Sequence, residues 1–169
     1  NQAKNFNVKN IIITDKKSYL RLKKKKLGNI KIFNNFNSLN VIFKNKIDYV
    51  MSSISGIYGL EPTLKIIKHT KKIAIANKEA IICGWHLIKR DIKKFKTSFI
   101  PVDSEHFSIF YSLQGNKNSN VEKIYLTASG GPLNNIPKKK FKSVKISEAI
   151  NHPNWKMGKK ISVDSATMM

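Results

Sequence analysis

The stretch "IPVDSEHFSIF", Ile100 to Phe110, places two carboxylates, Asp103 and Glu105, two positions apart at the end of an apolar run. The chain has only ten acidic residues against thirty-two lysines and arginines. Like charges repel, so such a pair needs a positive partner, which is either the first turn of a helix or a cation. On extended backbone, residues two apart point to one side. Asp103 and Glu105 would then face one ion, with the Ser104 hydroxyl beside them, and oxygen donors with open positions suit Mg²⁺ or Mn²⁺. Spacing alone favours the other reading, in which Asp103 or Ser104 caps a helix and Glu105 complements its dipole. His106 reads first as a structural histidine and second as a further ligand.

Three more clusters carry chemistry. In Asn77-Lys78-Glu79, Asn77 and Glu79 suit a helix start, but Lys78 puts a cation at the positive end of that helix, which an anionic ligand would explain. Ser129-Gly130-Gly131 can bring amides and a hydroxyl up to a phosphate, although Gly-Gly-Pro is more often a plain turn. Ser165 reads as the start of a last helix, either an ordinary cap or a phosphate contact. "HPNWKMGKK", His152 to Lys160, has little regular period and reads either as a packing loop or as a lid that closes an aromatic over a ligand.

The elements that must position these clusters alternate. Asn10–Thr14, Ile30–Phe33, Ile47–Ile54, Lys72–Ala76, Phe99–Val102, Lys123–Thr127 and Ile161–Val163 are apolar, β-rich runs. Between them lie a lysine-rich helix capped near Asp15, a helix capped by Ser38, and a helix that follows a Gly56/Gly59 turn with Pro62 in its first turn. A long helix from Asn77 carries Ile81, Trp85, Ile88, Ile92 and Phe95 on one face, and another starts near Ser104 or Glu105. Alternation of this kind predicts an α/β fold with mostly parallel strands, whose ligands gather at the strands' carboxyl ends. The polar clusters all fall there. The glycines at 56, 59, 130 and 131 do not form a G-x-G-x-x-G fingerprint.

The net charge of +22 suggests nucleic acid or an anionic membrane. Only Arg21 and Arg90 are arginines, however, and recognition of phosphates and bases favours the planar guanidinium. The runs Lys23–Lys26 and Lys138–Lys140 read as solvated faces that attract phosphorylated ligands as a side effect. A basic nucleic-acid-binding α/β module stays as the alternative reading. No apolar run approaches the ~18 residues that span a bilayer, and "NQAKNFNVKN" lacks the apolar segment of a secretion signal, so the sequence predicts a soluble, unexported protein. The single cysteine, Cys83, agrees with a reducing compartment.

Taken in order, "GLEPTL" (Gly59 to Leu64), "ANKEA" (Ala76 to Ala80), "PVDSEH" (Pro101 to His106), "SGGP" (Ser129 to Pro132) and "HPNWKMGKKISVDSATMM" (His152 to Met169) resemble the 1-deoxy-D-xylulose 5-phosphate reductoisomerase family of isoprenoid-precursor enzymes. The resemblance is strong from about Tyr49 onward, and it reverses the preference for cap over metal at Asp103 and Glu105. It implies the latter part of a Rossmann-like NADPH domain over residues 1–102, its glycine-rich beginning missing, and the first part of an α/β catalytic domain over 103–169. It implies an enzyme that depends on NADPH and on Mg²⁺ or Mn²⁺. Such an enzyme rearranges 1-deoxy-D-xylulose 5-phosphate and reduces the product to 2-C-methyl-D-erythritol 4-phosphate, in the non-mevalonate route to isoprenoids. A homodimer when complete is implied, in a bacterial-type cytoplasm or a plastid-like organelle.

Residue by residue, the resemblance implies metal binding by Asp103 and Glu105, with Ser104, Glu105 and Lys78 at the reacting end of the substrate. Ser129, His152 and Ser165 would hold the phosphate end, and Asn77, Glu79 and Gly158 would touch NADPH. Trp155 and Met157 would belong to a flap over the substrate. Lys78, Asp103, Glu105 and His152 are the positions assigned to catalysis. In the family the last block continues into an Asn-Lys-Gly-x-Glu motif, which supplies a further metal ligand and phosphate contacts, and then into a helical domain. The sequence here contains neither, nor the cofactor turn, so the resemblance implies that this polypeptide alone lacks full activity.

Overall fold

A computed structural model describes residues 2–25, 27–114, 120–126, 130–156 and 158–167, with side chains as far as 163. The chain divides into two compact units, Asn1–Lys117 and Asn118–Met169.

The first unit is built from strand–helix–strand crossovers. A short helix α1 (Gln2–Asn5) leads into β1 (Asn10–Ile12), α2 (Lys16–Lys24) and β2 (Lys31–Phe33). The Asp15 carboxylate caps α2 by accepting the Ser18 amide at 2.8 Å. β1 and β2 pair in parallel as a two-stranded sheet. Next come α3 (Leu39–Ile42), β3 (Ile47–Ser52), α4 (Leu60–Ile67), β4 (Thr70–Ile75), α5 (Lys78–Phe95), β5 (Ser98–Pro101) and α6 (Ser104–Gln114). Strands β3, β4 and β5 form a parallel sheet in that order. Parallel neighbours need a crossover, and the apolar faces of α4 and α5 supply it.

The core sits between this sheet and the two helices. Ile67, Ile73, Ile75 and Ile88 are fully buried, each contributing on the order of 1.5–3 kcal/mol. The α5 face expected from periodicity is observed. Ile88 lies at its centre, with Ile81, Ile92 and Phe95 packed beside it, and Trp85 is partly exposed against Phe99, ring centroids 5.5 Å apart. Gly84 lets α4 approach α5, because a Cβ there would collide with the Leu60 side chain. Gly84 also kinks α5, with φ −127° and ψ 18°.

Buried hydroxyls tie the layers. Ser52 Oγ and Thr63 Oγ1 lie 2.6 Å apart, Thr63 donates to the Gly59 carbonyl at 2.6 Å, and Thr97 donates to the carbonyls of Ile67 and Thr70. At the opposite end of the sheet, His69 stands against the Phe43 ring with its Nε2 buried and unpartnered among the described residues. Burial first, and the nearby Lys68 charge second, hold its pKa below the usual value.

One boundary expectation in this unit needs correction. Ser38 makes no capping hydrogen bond to α3; Asn35 instead caps the 3-10 turn Phe36–Ser38 by accepting the Asn37 amide at 3.0 Å. A serine inside such a turn has its backbone already committed, so the asparagine ahead of it takes the capping role.

The second unit contains a basic 3-10 turn (Lys138–Ser143) followed by α7 (Ile146–Ala149) and α8 (Lys159–Thr167). The strand expected over Lys123–Thr127 is absent over its described residues 123–126. Tyr125 is 82% exposed there, and a β-prone run becomes a strand only where a ladder partner meets it. The strand expected over Ile161–Val163 is also overturned, since these residues lie inside α8. Ser162 is the buried member (1% exposed), while Ile161 and Val163 face outward. β-branching is a weak prior that tertiary context overrides. The expected helix start near Ser165 moves with it: α8 begins at Lys159, so Ser165 is inside the helix rather than at its N-terminus.

Candidate functional site

The register of the three-stranded sheet aligns Ser52 with Ile75 and Ile75 with Pro101. The strands therefore end side by side. The Ala76 amide donates to the Ser52 carbonyl at 2.9 Å and the Val102 amide to the Ile75 carbonyl at 3.1 Å, which carries the alignment one step past each strand. Asn77 and Asp103 each follow two residues after an aligned pair, on strands whose usual spacing is about 4.8 Å. The clusters 77–79 and 103–105, distant in sequence, thus share one carboxyl edge, where α/β sheets collect ligands.

Asn77 is the pin of that edge. It is 4% exposed. Its Oδ1 accepts the Ala80 amide at 2.9 Å and caps α5, while its Nδ2 donates to the carbonyls of Ile54 and, at 2.7 Å, Gly56. The loop after β3 is thereby tied to the turn after β4. Gly59 packs so closely that a Cβ would strike the Asn77 amide, and Gly56 takes a positive φ of 70° that favours glycine. Lys78 and Glu79 stand half-buried in the first turn of α5.

Asp103 uses its two oxygens differently. Oδ1 accepts the His106 amide at 3.2 Å, which caps α6, and the His106 ring Nδ1 approaches the same oxygen at 2.7 Å. Oδ2 is buried with no hydrogen-bond partner among the described residues. Burial pushes the Asp103 pKa up, but the His106 hydrogen bonds and charge, with a smaller contribution from the Glu105 side chain, outweigh it and hold the carboxyl below its usual range, as a carboxylate. Glu105, in the first turn of α6, is exposed and accepts the Ser104 hydroxyl at 3.0 Å. Asp103 and Glu105 are therefore a cap and a first-turn residue, not two residues on extended backbone. The cap and cation readings turn out to be compatible, since the cap occupies one oxygen and leaves the other.

A buried anionic oxygen without a donor is costly, and a divalent cation is the kind of group that meets it. The donor set, two carboxylates beside a hydroxyl, fits Mg²⁺ or Mn²⁺ rather than a thiol-seeking ion. Among the described residues no group of three His, Cys, Asp or Glu is gathered to hold a metal, so Asp103 and Glu105 offer at most a pair of carboxylates and not a closed cage.

In the second unit, His152 is buried, and its Nδ1 accepts the amides of Asn154 and Trp155, both at 3.1 Å. Two donors on Nδ1 mean that a neutral ring carries its proton on Nε2, making that nitrogen a donor. Trp155 is 60% exposed, and a Cβ on Gly158 would meet only open space. Gly130 and Gly131 adopt positive φ of 88° and 48°. Ser129 and Met157 lie outside the described residues, as does the Ser165 side chain. His106, expected first as a structural histidine, holds Asp103 Oδ1 through both its amide and its ring Nδ1. Its signal was the Asp-x-x-His spacing, which puts a ring beside the cap it completes.

The chain matches the model of the 1-deoxy-D-xylulose 5-phosphate reductoisomerase family over residues 1–84 and that of the C-terminal domain of the same enzyme over residues 99–169. It is 63% identical over 171 residues to the reductoisomerase of Pelagibacter ubique, and 42% identical over 168 residues to that of Clostridium tetani. These alignments cover 99% and 97% of the chain and 44% of each relative, so the chain spans about 44% of the length of the curated relatives it matches. It superposes with a TM-score of 0.80, at 33% identity and over 98% of its length, on 43% of the Zymomonas mobilis reductoisomerase solved in complex with NADPH. A second reductoisomerase, solved with NADPH, fosmidomycin and magnesium, gives a TM-score of 0.75 at 31% identity, covering 99% of this chain and 44% of that one. The carboxyl edge that carries Asp103 and Asn77 is thus the α/β framework of a known enzyme family: the chain belongs to the 1-deoxy-D-xylulose 5-phosphate reductoisomerases, spanning the end of their N-terminal NADPH domain and the start of their C-terminal domain.

Proposed function

We propose that the complete protein carrying this chain converts 1-deoxy-D-xylulose 5-phosphate to 2-C-methyl-D-erythritol 4-phosphate, using NADPH and Mg²⁺ or Mn²⁺, and works as a homodimer. Family membership supports the reaction. The observation that carries the reading to this chain's own residues is the Oδ2 of Asp103 at the shared edge of β4 and β5, buried and without a hydrogen-bond partner among the described residues. In this assignment residues 1–102 complete the cofactor domain and 103–169 open the catalytic one.

Asp103 and Glu105 hold the divalent ion, which when bound supplies Lewis acidity to the substrate's oxygens. Ser104 steers the Glu105 carboxylate through its 3.0 Å hydrogen bond, and Ser104 and Lys78 contact the reacting end of the substrate. Asn77 shapes the cofactor side by locking the loop after β3 to the head of α5. Glu79, and in the second unit Gly158, are the other residues assigned to NADPH. His152 presents an Nε2 proton to the substrate, its other nitrogen being occupied by two amides. Ser129 and Ser165 hold the phosphate with it, binding energy that orients the distant reacting carbon. Trp155 and Met157 form the flap that excludes water.

The test is NADPH oxidation by the complete protein with 1-deoxy-D-xylulose 5-phosphate. Activity must require Mg²⁺ or Mn²⁺, and Asp103→Asn must abolish it without unfolding the protein. Turnover that survives chelation, or that Asp103→Asn leaves intact, refutes the assignment.

A further inference from the structure

We infer that His106 is a positioning residue of this site: its ring fixes one oxygen of the Asp103 carboxylate so that the other is presented to a divalent cation. The inference rests on the metal reading above and names the device that makes it work. A carboxylate turns broadly about its last torsion, so a single hydrogen bond to one oxygen does not decide where the other points. Asp103 Oδ1 receives two donors from one residue, the His106 amide at 3.2 Å and the ring Nδ1 at 2.7 Å. The shorter one comes from the side chain and fixes the plane that the cap alone leaves free. A carboxylate only accepts, so Nδ1 carries the proton in this pair.

The exposure pattern agrees. The Asp103 side chain is 12% exposed and that of His106 68% exposed, so the ring reaches in from the rim to the more buried carboxylate. The result is the buried Oδ2 without a donor among the described residues. Ser104 does the corresponding work for Glu105. Each carboxylate is therefore steered by a neighbour in the first turn of α6, and the short motif Asp-Ser-Glu-His contains both the ligands and their orienting donors. Groups that orient metal ligands in this way govern affinity as well as geometry.

The experiment measures Mn²⁺ binding to the complete protein by the electron paramagnetic resonance signal of free Mn²⁺, for wild type, Asp103→Asn, His106→Ala, His106→Asn and His106→Gln. Loss of Mn²⁺ binding in His106→Ala by about 10- to 100-fold is expected, the usual cost of removing an orienting partner. His106→Asn is expected to recover most of it, because the asparagine amide nitrogen falls near the position of Nδ1. His106→Gln is expected to stay weak, because its amide nitrogen falls near that of Nε2. Should His106→Ala fail to fold, the Asn and Gln variants decide between them. Wild-type affinity in His106→Ala, or equal affinity in the Asn and Gln variants, overturns the inference while Asp103→Asn still abolishes binding. Wild-type protein that binds no Mn²⁺, or Asp103→Asn that binds it normally, sinks the metal reading itself.

Discussion

Replacing Asn77 by alanine removes three hydrogen bonds from a residue that joins two loops and a helix. The lost cap of the Ala80 amide costs about 1 kcal/mol. The bonds to the Ile54 and Gly56 carbonyls cost about 1 kcal/mol each, since both acceptors sit where water reaches them only in part. The sum is about 3 kcal/mol, roughly 1.5 M in urea midpoint for a denaturant slope near 2 kcal/mol per molar. Asn77→Ser separates the contributions, because serine keeps the cap but loses both donors, and about 2 kcal/mol is expected. The assay is urea unfolding followed by circular dichroism, with the slope fitted for each variant so that a change in midpoint is a change in stability. A loss below about 1 kcal/mol for Asn77→Ala, or equal losses for the alanine and serine variants, refutes the view that this side chain pins the carboxyl edge.

Gly59→Ala is expected to damage the same junction, because its new methyl would occupy the space of the Asn77 amide; combined with Asn77→Ala it should cost less than the two single losses together, as a double-mutant cycle by urea unfolding will show. His69 makes the first unit acid-sensitive. Its folded pKa lies below the ordinary 6.5, so the unfolded chain takes up the proton first, and stability present above pH 6.5 is lost as pH falls toward the folded value. His69→Gln should flatten that decline, read as the difference in urea midpoint between pH 7.5 and 5.5 for the two proteins; an unchanged difference counts against the half-buried imidazole as its source.

Much of this architecture was legible before any coordinates, because the relevant forces act locally. The apolar spacing of α5 and the capping chemistry of Asn77 and Asp15 are written within a few residues of where they operate, and short-range sterics and hydrogen bonding fix them there. The alternation of strand and helix likewise demanded crossovers and hence parallel pairing. The two misread strands show the limit. Lys123–Thr127 and Ile161–Val163 have β-prone side chains, but a strand exists only by virtue of a distant partner, and in α8 the serine between two β-branched residues turned inward.

The sequence by itself determined which residue types stand at the strand ends, and its resemblance to the reductoisomerase family implied a metal and a sugar phosphate there. Only the tertiary structure decided how Asp103 divides its oxygens, one spent on the α6 cap and the His106 ring and the other left buried with no donor among the described residues. It also decided that Asn77 and Asp103, twenty-six positions apart (103 minus 77), meet on one edge through the alignment of Ile75 with Pro101. Spacing along a chain constrains neighbours, whereas register and burial are set by packing between segments that the chain brings together only when it folds.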